Sequence, residues 1–247
     1  MVQLKEYYVE RHDTNQKGNS DVISLIPEPK GFVCSGVSEI DQLLGGLSIG
    51  QVTSFFGRSR LLSTVLHRIC VNTFDMFHSS TIVLDAGNQL NPYVLAHFAR
   101  LQLLPYQELL HQVYLSRAFT LYQLNALVHK HMEPLIKRLR PVTVIFTGFS
   151  LLLADADISN DEASRLCTMM MEKLKKIART YQVAMILIDK QYGDSFMINS
   201  DSFVDTTIQV KDMRHCPRIT IAQQNREITV TSETFGQLCL QDFGMVI

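Results

Sequence analysis

The chain has 247 residues, 46% of them hydrophobic, enough to bury one sizeable core, so one α/β domain is the default expectation. A net charge of −1 excludes a global basic field that would pull the whole protein onto nucleic acid, so any DNA contact must be local or supplied by a partner. Five scattered cysteines (Cys34, Cys70, Cys167, Cys216, Cys239) without a CxxC pair suggest neither a disulfide framework nor a zinc site, and fit a reducing, intracellular compartment.

Residues 1–30 are mixed and polar, too short to bury a core, and read as an N-terminal arm before a core domain over 31–247. They do not resemble a signal peptide, and no apolar run is long enough to span a membrane. From Gly31 onward strands and helices alternate. Gln51 to Phe56 is an apolar strand, Thr64 to Phe77 a helix, and Thr81 to Asp85 a strand. Asn91–Pro92 opens a helix to about Leu101, with proline in the first turn where its missing N–H costs nothing. Gln112 to Ser116 is a strand, and Leu121 to Leu139 a helix broken near Pro134. Val142 to Thr147 is a buried strand. Ser159 and Glu162 have capping-box spacing, and the helix they open puts Ala163, Leu166, Met170, Leu174 and Ile177 on one face.

Val183 to Ile188 is a further buried strand. Shorter strands follow at Thr206 to Val210, Arg218 to Gln223, Glu227 to Thr231 and Gln237 to Gln241. The fold class expected is α/β: a mostly parallel central sheet with helices on both faces and an antiparallel C-terminal extension.

A strand, a glycine-opened loop and a helix is the context of a phosphate-binding loop, whose working pattern is G-x-x-x-x-G-K-[ST]. Here the segment reads Gly57, Arg58, Ser59, Arg60, Leu61, Leu62, Ser63, Thr64. The first glycine and the final threonine are in place; Leu62 replaces the second glycine and Ser63 the lysine. A bulky Leu62 crowds the convergence of backbone N–H groups on phosphate, and a serine hydroxyl cannot supply the charge of lysine. Arg58 and Arg60 read first as exposed or partner-contacting arginines and second as holders of an anion.

The flanks of this loop carry a resemblance. Gly36-Val37-Ser38-Glu39-Ile40-Asp41-Gln42-Leu43-Leu44-Gly45-Gly46 resembles the opening segment of the RecA/RadA recombinase family, departing at Leu47. Gly50, Thr53 and Gly57 fall on the family's next pattern, with Ser54 in place of a glutamate. Val113 to Phe119 resembles the stretch ending in A-R-A-F, and Leu238, Leu240, Gly244 and Met245 have the spacing of its closing segment. The chain looks closer to the RadA-like and eukaryotic recombinase-paralogue branch than to bacterial RecA. The KaiC-type family shares the opening pattern but not the R-A-F stretch. The resemblance implies a RecA-like P-loop ATPase core.

It also implies positions for catalytic groups. The glutamate that polarises the attacking water falls on Gly87, which has no side chain to act as a base. Asp85 holds the register there and reads as a turn residue before a catalyst. The Walker B aspartate falls on Thr147, a poor magnesium anchor without a carboxylate beside it. The pair that senses the terminal phosphate is represented by Asp189-Lys190-Gln191. With lysine, aspartate and base all missing, ATP hydrolysis is not expected, and neither a nucleotide cofactor nor a metal is.

By the same resemblance, the first DNA loop falls at Leu153 to Glu162, which is acidic and repels phosphate. The second falls at Tyr192 to Ser202, where Phe196 either packs or stacks on a base. Lys173, Lys176 and Arg179 form a basic helix face, either solvated surface or a DNA or partner contact, as do Lys137, Arg138 and Arg140. The family's N-terminal DNA-binding domain is not expected, and Phe32-Val33-Cys34-Ser35 lacks the alanine of its F-x-x-A assembly motif. His129 and His131 lie on different helix faces, and His215-Cys216 has no further ligands nearby.

The expected function is therefore a non-catalytic paralogue acting as accessory or scaffold in recombination and repair. Its partners would be another RecA-type subunit and DNA, touched directly or through that subunit, with no membrane; its location would be cytoplasmic, or nuclear in a eukaryote. Two alternatives stay open: an interaction or regulatory module of KaiC type outside recombination, and a nucleotide site rebuilt on Arg58 or Arg60.

Overall fold

The computed structural model describes residues 31–153, 158–190, 202–212, 217–223 and 226–231. The arm 1–30, Gln191, Phe196, the His215-Cys216 pair and the strand and closing segment expected after residue 236 lie outside the described residues.

A short antiparallel pair, β1 (Phe32–Val33) and β2 (Leu47–Ser48), brackets helix α1 (Ser38–Leu44). The strands β3 (Val52–Gly57), β4 (Thr81–Asp85), β5 (Val113–Arg117), β6 (Thr143–Thr147), β7 (Ala184–Lys190), β8 (Thr206–Asp212), β9 (Pro217–Gln223) and β10 (Arg226–Thr231) form one sheet in the order β10-β9-β8-β3-β7-β6-β4-β5. The run from β8 to β5 is parallel throughout, and β9 and β10 add antiparallel at one edge. The expected mostly parallel sheet with an antiparallel extension is what the chain forms.

Alternation along the central strands feeds two cores. Ile145, Ile186 and Ile188 face one layer, shared with α2 (Leu61–Phe77), α3 (Pro92–Leu101) and α4 (Tyr106–Gln112). Val144, Phe146, Met185 and Leu187 face the other, shared with α5 (Leu121–Ala126), α6 (Met132–Leu139), α7 (Phe149–Leu153) and α8 (Asn160–Tyr181). A sheet covered on both faces needs strands apolar on both sides, which is why β3, β4 and β6 are buried at every residue.

Local signals explain several boundaries. Ser159 caps α8 by accepting the Glu162 N–H at 3.3 Å, and the five residues expected on its inner face are all buried. Asn91 caps α3 by accepting the Tyr93 N–H at 2.9 Å.

Three expectations shift. The break expected near Pro134 is a wide π turn at Leu127–His131. It places Pro134 in the first turn of α6, where a missing N–H leaves nothing unpaired. Helix α2 begins at Leu61, three residues before the expected Thr64, because Leu61 and Leu62 are drawn into the core. The short helices α1, α4 and α7 had no periodic signal of their own.

The opening segment works as scaffold. Asp41 accepts the N–H groups of Ser35 (2.8 Å) and Gly36 (3.2 Å). From α2, Arg68 donates to the Gly36 carbonyl (2.6 Å) and Asn72 to the Cys34 carbonyl (3.0 Å). The segment thereby straps the β1–β2 pair to the helix that follows the loop.

Candidate functional site

The C-terminal ends of β3, β4, β6 and β7 meet at one edge of the sheet, where open parallel sheets bind ligands. Gly57 ends β3 with φ 141°, and a Cβ there would lie 1.9 Å from the Val210 carbonyl oxygen, so β8 leaves room for glycine alone. Ser59 is buried; its hydroxyl donates to the Asp212 carboxylate at the end of β8 and accepts the Leu61 N–H at 3.1 Å. The next N–H groups also turn inward, Leu62 to the Ser59 carbonyl (3.4 Å) and Ser63 to the Arg60 carbonyl (3.2 Å).

An anion site at a helix N-terminus depends on N–H groups left open. Here those of Leu61, Leu62 and Ser63 are bonded inside the turn, and an aspartate sits on the Ser59 hydroxyl. Leu61 and Leu62 are 3% and 0% exposed. Arg58 and Arg60 point outward, exposed, with no ion-pair partner among the described residues.

Asp85, at the end of β4, is 1% exposed and accepts the N–H groups of Gly87 (3.1 Å), Gln89 (3.0 Å) and Leu90 (3.0 Å). Its carboxylate is spent on the shape of that loop. Gly87 packs against Gly148, the residue after β6: a Cβ on Gly148 would lie 2.3 Å from the Gly87 nitrogen and 2.5 Å from its Cα. Ala86 N–H donates to the Thr147 carbonyl at 2.8 Å beside this contact. Thr147 itself is buried, and its Oγ1 has no hydrogen-bond partner among the described residues.

Sequence reasoning passed over His67. It is buried on α2 and joins the two loops: Nε2 accepts the Asn91 N–H (2.9 Å), so Nδ1 carries the proton and donates to the Ser63 carbonyl (2.6 Å). Burial holds its pKa below the usual histidine value. The only sequence hint was a histidine in an otherwise apolar helix face.

Asp189 stands where a phosphate sensor was expected. It is 4% exposed and instead caps α7, accepting the Ser150 N–H (2.5 Å) and hydroxyl (2.7 Å). Burial raises its pKa to about 6, with the Ser150 hydrogen bonds acting the other way.

The basic positions on α8 are partly neutralised. Lys173 pairs with Glu133 of α6, and Arg179 lies 3.7 Å from Asp205. Lys176 is exposed. Asp161 and Glu162 occupy the first turn of α8, where negative charge complements the helix dipole.

These residues do not fit a magnesium-bound nucleoside triphosphate. The loop offers no lysine, the Ser59 hydroxyl and the Leu61, Leu62 and Ser63 N–H groups are already bonded, and positions 87 and 147 carry no carboxylate. Among the described residues no group of three His, Cys, Asp or Glu could hold a metal, and no helix is long and apolar enough to cross a membrane.

No curated protein matches the chain. A family model for Rad51 matches residues 32–208, from β1 into β8. With that span added to the sheet order and the strapped opening segment, the chain belongs to the Rad51 family, within the RecA/RadA group.

Proposed function

We propose that this chain is a non-catalytic member of its family, an intracellular accessory or scaffold subunit in DNA recombination and repair. The observation that carries the reading is the self-closed loop at 57–64. Ser59 bonds to Asp212 and Leu61, and Leu62, standing in place of the second glycine, is packed into the core beside Leu61. The residues at 87 and 147 support it, since nothing there can activate water or anchor magnesium.

Binding surface remains where chemistry does not. Among the described residues the sheet edge β5 pairs with β4 alone, and it exposes Tyr114 (36%) and Leu115 (38%). Phe119 (72%) and Tyr122 (54%) follow it directly. An open edge with apolar side chains suits strand or face docking by another RecA-type subunit.

A thermal-shift titration with magnesium and ATP tests the first half of this proposal. A ligand bound only by the folded state raises apparent stability, by about 2.7 kcal/mol at a hundredfold excess over Kd. A flat titration is expected, and a saturable rise would overturn the non-catalytic reading. Affinity purification tests the second half: a RecA-type subunit is expected, and a partner unrelated to recombination would favour the regulatory alternative.

A further inference from the structure

Two basic stretches that lie far apart in sequence become one surface. Lys137 sits one turn after Glu133 on α6, so their side chains are neighbours. The Lys173–Glu133 ion pair ties α6 to α8, and Lys176 is one turn further along α8. Glu133 is therefore ringed by Lys137, Lys173 and Lys176, and the lysines hold its carboxyl below the usual range, led by the Lys173 hydrogen bond. Lys137 and Lys176 are exposed and have no ion pair of their own among the described residues. Lys130 and Arg140 extend the patch on either side, both exposed.

Position separates this patch from the loop at 57–64. Helices α6 and α8 run into the starts of β6 and β7, so the patch lies at the opposite edge of the parallel sheet from the self-closed loop. Its composition is also telling. Glu133 and Glu172 are the only carboxylates on α6 and the last three turns of α8. No large hydrophobic residue is exposed on α6 or on α8 beyond Met169. A protein-docking patch carries an apolar centre, whereas a phosphate backbone asks only for mobile point charges at spacings of a helical turn.

We propose that the α6–α8 face, centred on Lys137, Lys173 and Lys176, is a sequence-independent binding site for the phosphate backbone of nucleic acid. The choice of ligand rests on the recombination and repair reading above; the site does not depend on whether ATP binds. Arg179, beside Asp205, stands outside it.

Fluorescence anisotropy with labelled single- and double-stranded oligonucleotides of mixed sequence tests this on the full chain. Lys137→Gln with Lys176→Gln removes two exposed charges that make no ion pair among the described residues. It should weaken binding roughly tenfold at low salt and reduce the salt slope by about 2 for duplex. Glu133→Gln removes the carboxylate at the centre and should tighten binding, a change of sign that misfolding would not produce. Arg58→Ala with Arg60→Ala should leave affinity unchanged.

Three results would overturn the proposal: no oligonucleotide binding by the unmodified chain, equal affinity in the double lysine variant, or loss confined to the arginine variant. Poly-glutamate competing as strongly as the oligonucleotide would also overturn it, in favour of an acidic protein partner. None of these results bears on the ATP titration, so the two readings fail separately.

Discussion

Gly87 and Gly148 meet backbone to backbone, so the loops after β4 and β6 close on each other where a catalytic carboxylate would have to stand. Gly148 holds φ 75°, a left-handed conformation that a Cβ resists, and the added atom would also strike Gly87. Gly148→Ala should destabilise the fold by about 2 kcal/mol or more. Gly87→Glu should also destabilise it, without giving ATP turnover. Urea unfolding and a phosphate-release assay check both; a stable, active Gly87→Glu protein would refute the closed-cleft reading.

The Ser59–Asp212 contact predicts a second pair of outcomes. Ser59→Ala loses the hydroxyl given to Asp212 and the cap on the Leu61 N–H, and should cost about 1–2 kcal/mol. Asp212→Ala removes only the first and should cost less. The urea midpoints of the two variants rank these effects, and the reverse order would mean that Ser59 is not the hub of the loop.

Rebuilding the phosphate pattern should fail. Leu62 is fully buried, so Leu62→Gly with Ser63→Lys opens a cavity and places glycine inside a helix, at roughly 4 kcal/mol in total. Because Ser59 and Asp212 still close the loop, no stabilisation by magnesium and ATP is expected. Recovery of nucleotide binding in that variant would show that two residues alone had abolished it.

Two buried groups give stability opposite pH slopes. His67 has a folded pKa below its unfolded value of about 6.5, so its contribution is whole above that pH and is lost as pH falls toward the folded value. Protonation takes away the acceptor that holds the Asn91 N–H. Asp189 runs the other way. Its folded pKa is raised to about 6, so its contribution is fully present below the unfolded carboxyl pKa of about 3.9 and is lost as pH rises through about 6. Melting temperatures across pH 4 to 7, roughly the window these values define, should lose the acid-side fall in His67→Gln and the acid-side gain in Asp189→Asn. Unchanged profiles in both variants would contradict the assignments.

Much of the fold was legible in the residues themselves. The buried parallel strands read as continuous apolar runs, and Ser159, Glu162 and the spacing from Ala163 to Ile177 announced α8. Helix α7 was not legible, because five residues carry no period and its start is held by Asp189, 39 residues away. The absent groups at the site could be read position by position. How the gaps are closed could not: Ser59 meets Asp212 across 153 residues, and His67 finds its acceptor role only through Asn91, 24 residues on. Contacts of that range depend on the register of the sheet, which no local pattern states.

Thr147 allows a last test of whether the site has settled into a purely structural state. Its hydroxyl is buried and unpaired among the described residues, on the sheet face that packs against α2. Valine has nearly the same shape without the buried polar atom. Thr147→Val should therefore leave stability unchanged or raise it by about 1 kcal/mol. Thr147→Asp restores the residue type of a magnesium site but buries a charge with no cation opposite it, and should cost roughly 3 kcal/mol or more. Urea unfolding with and without magnesium measures both. If magnesium rescued the aspartate variant, the site would still be shaped for a metal; if valine proved strongly destabilising, the hydroxyl would have a role that its surroundings do not reveal.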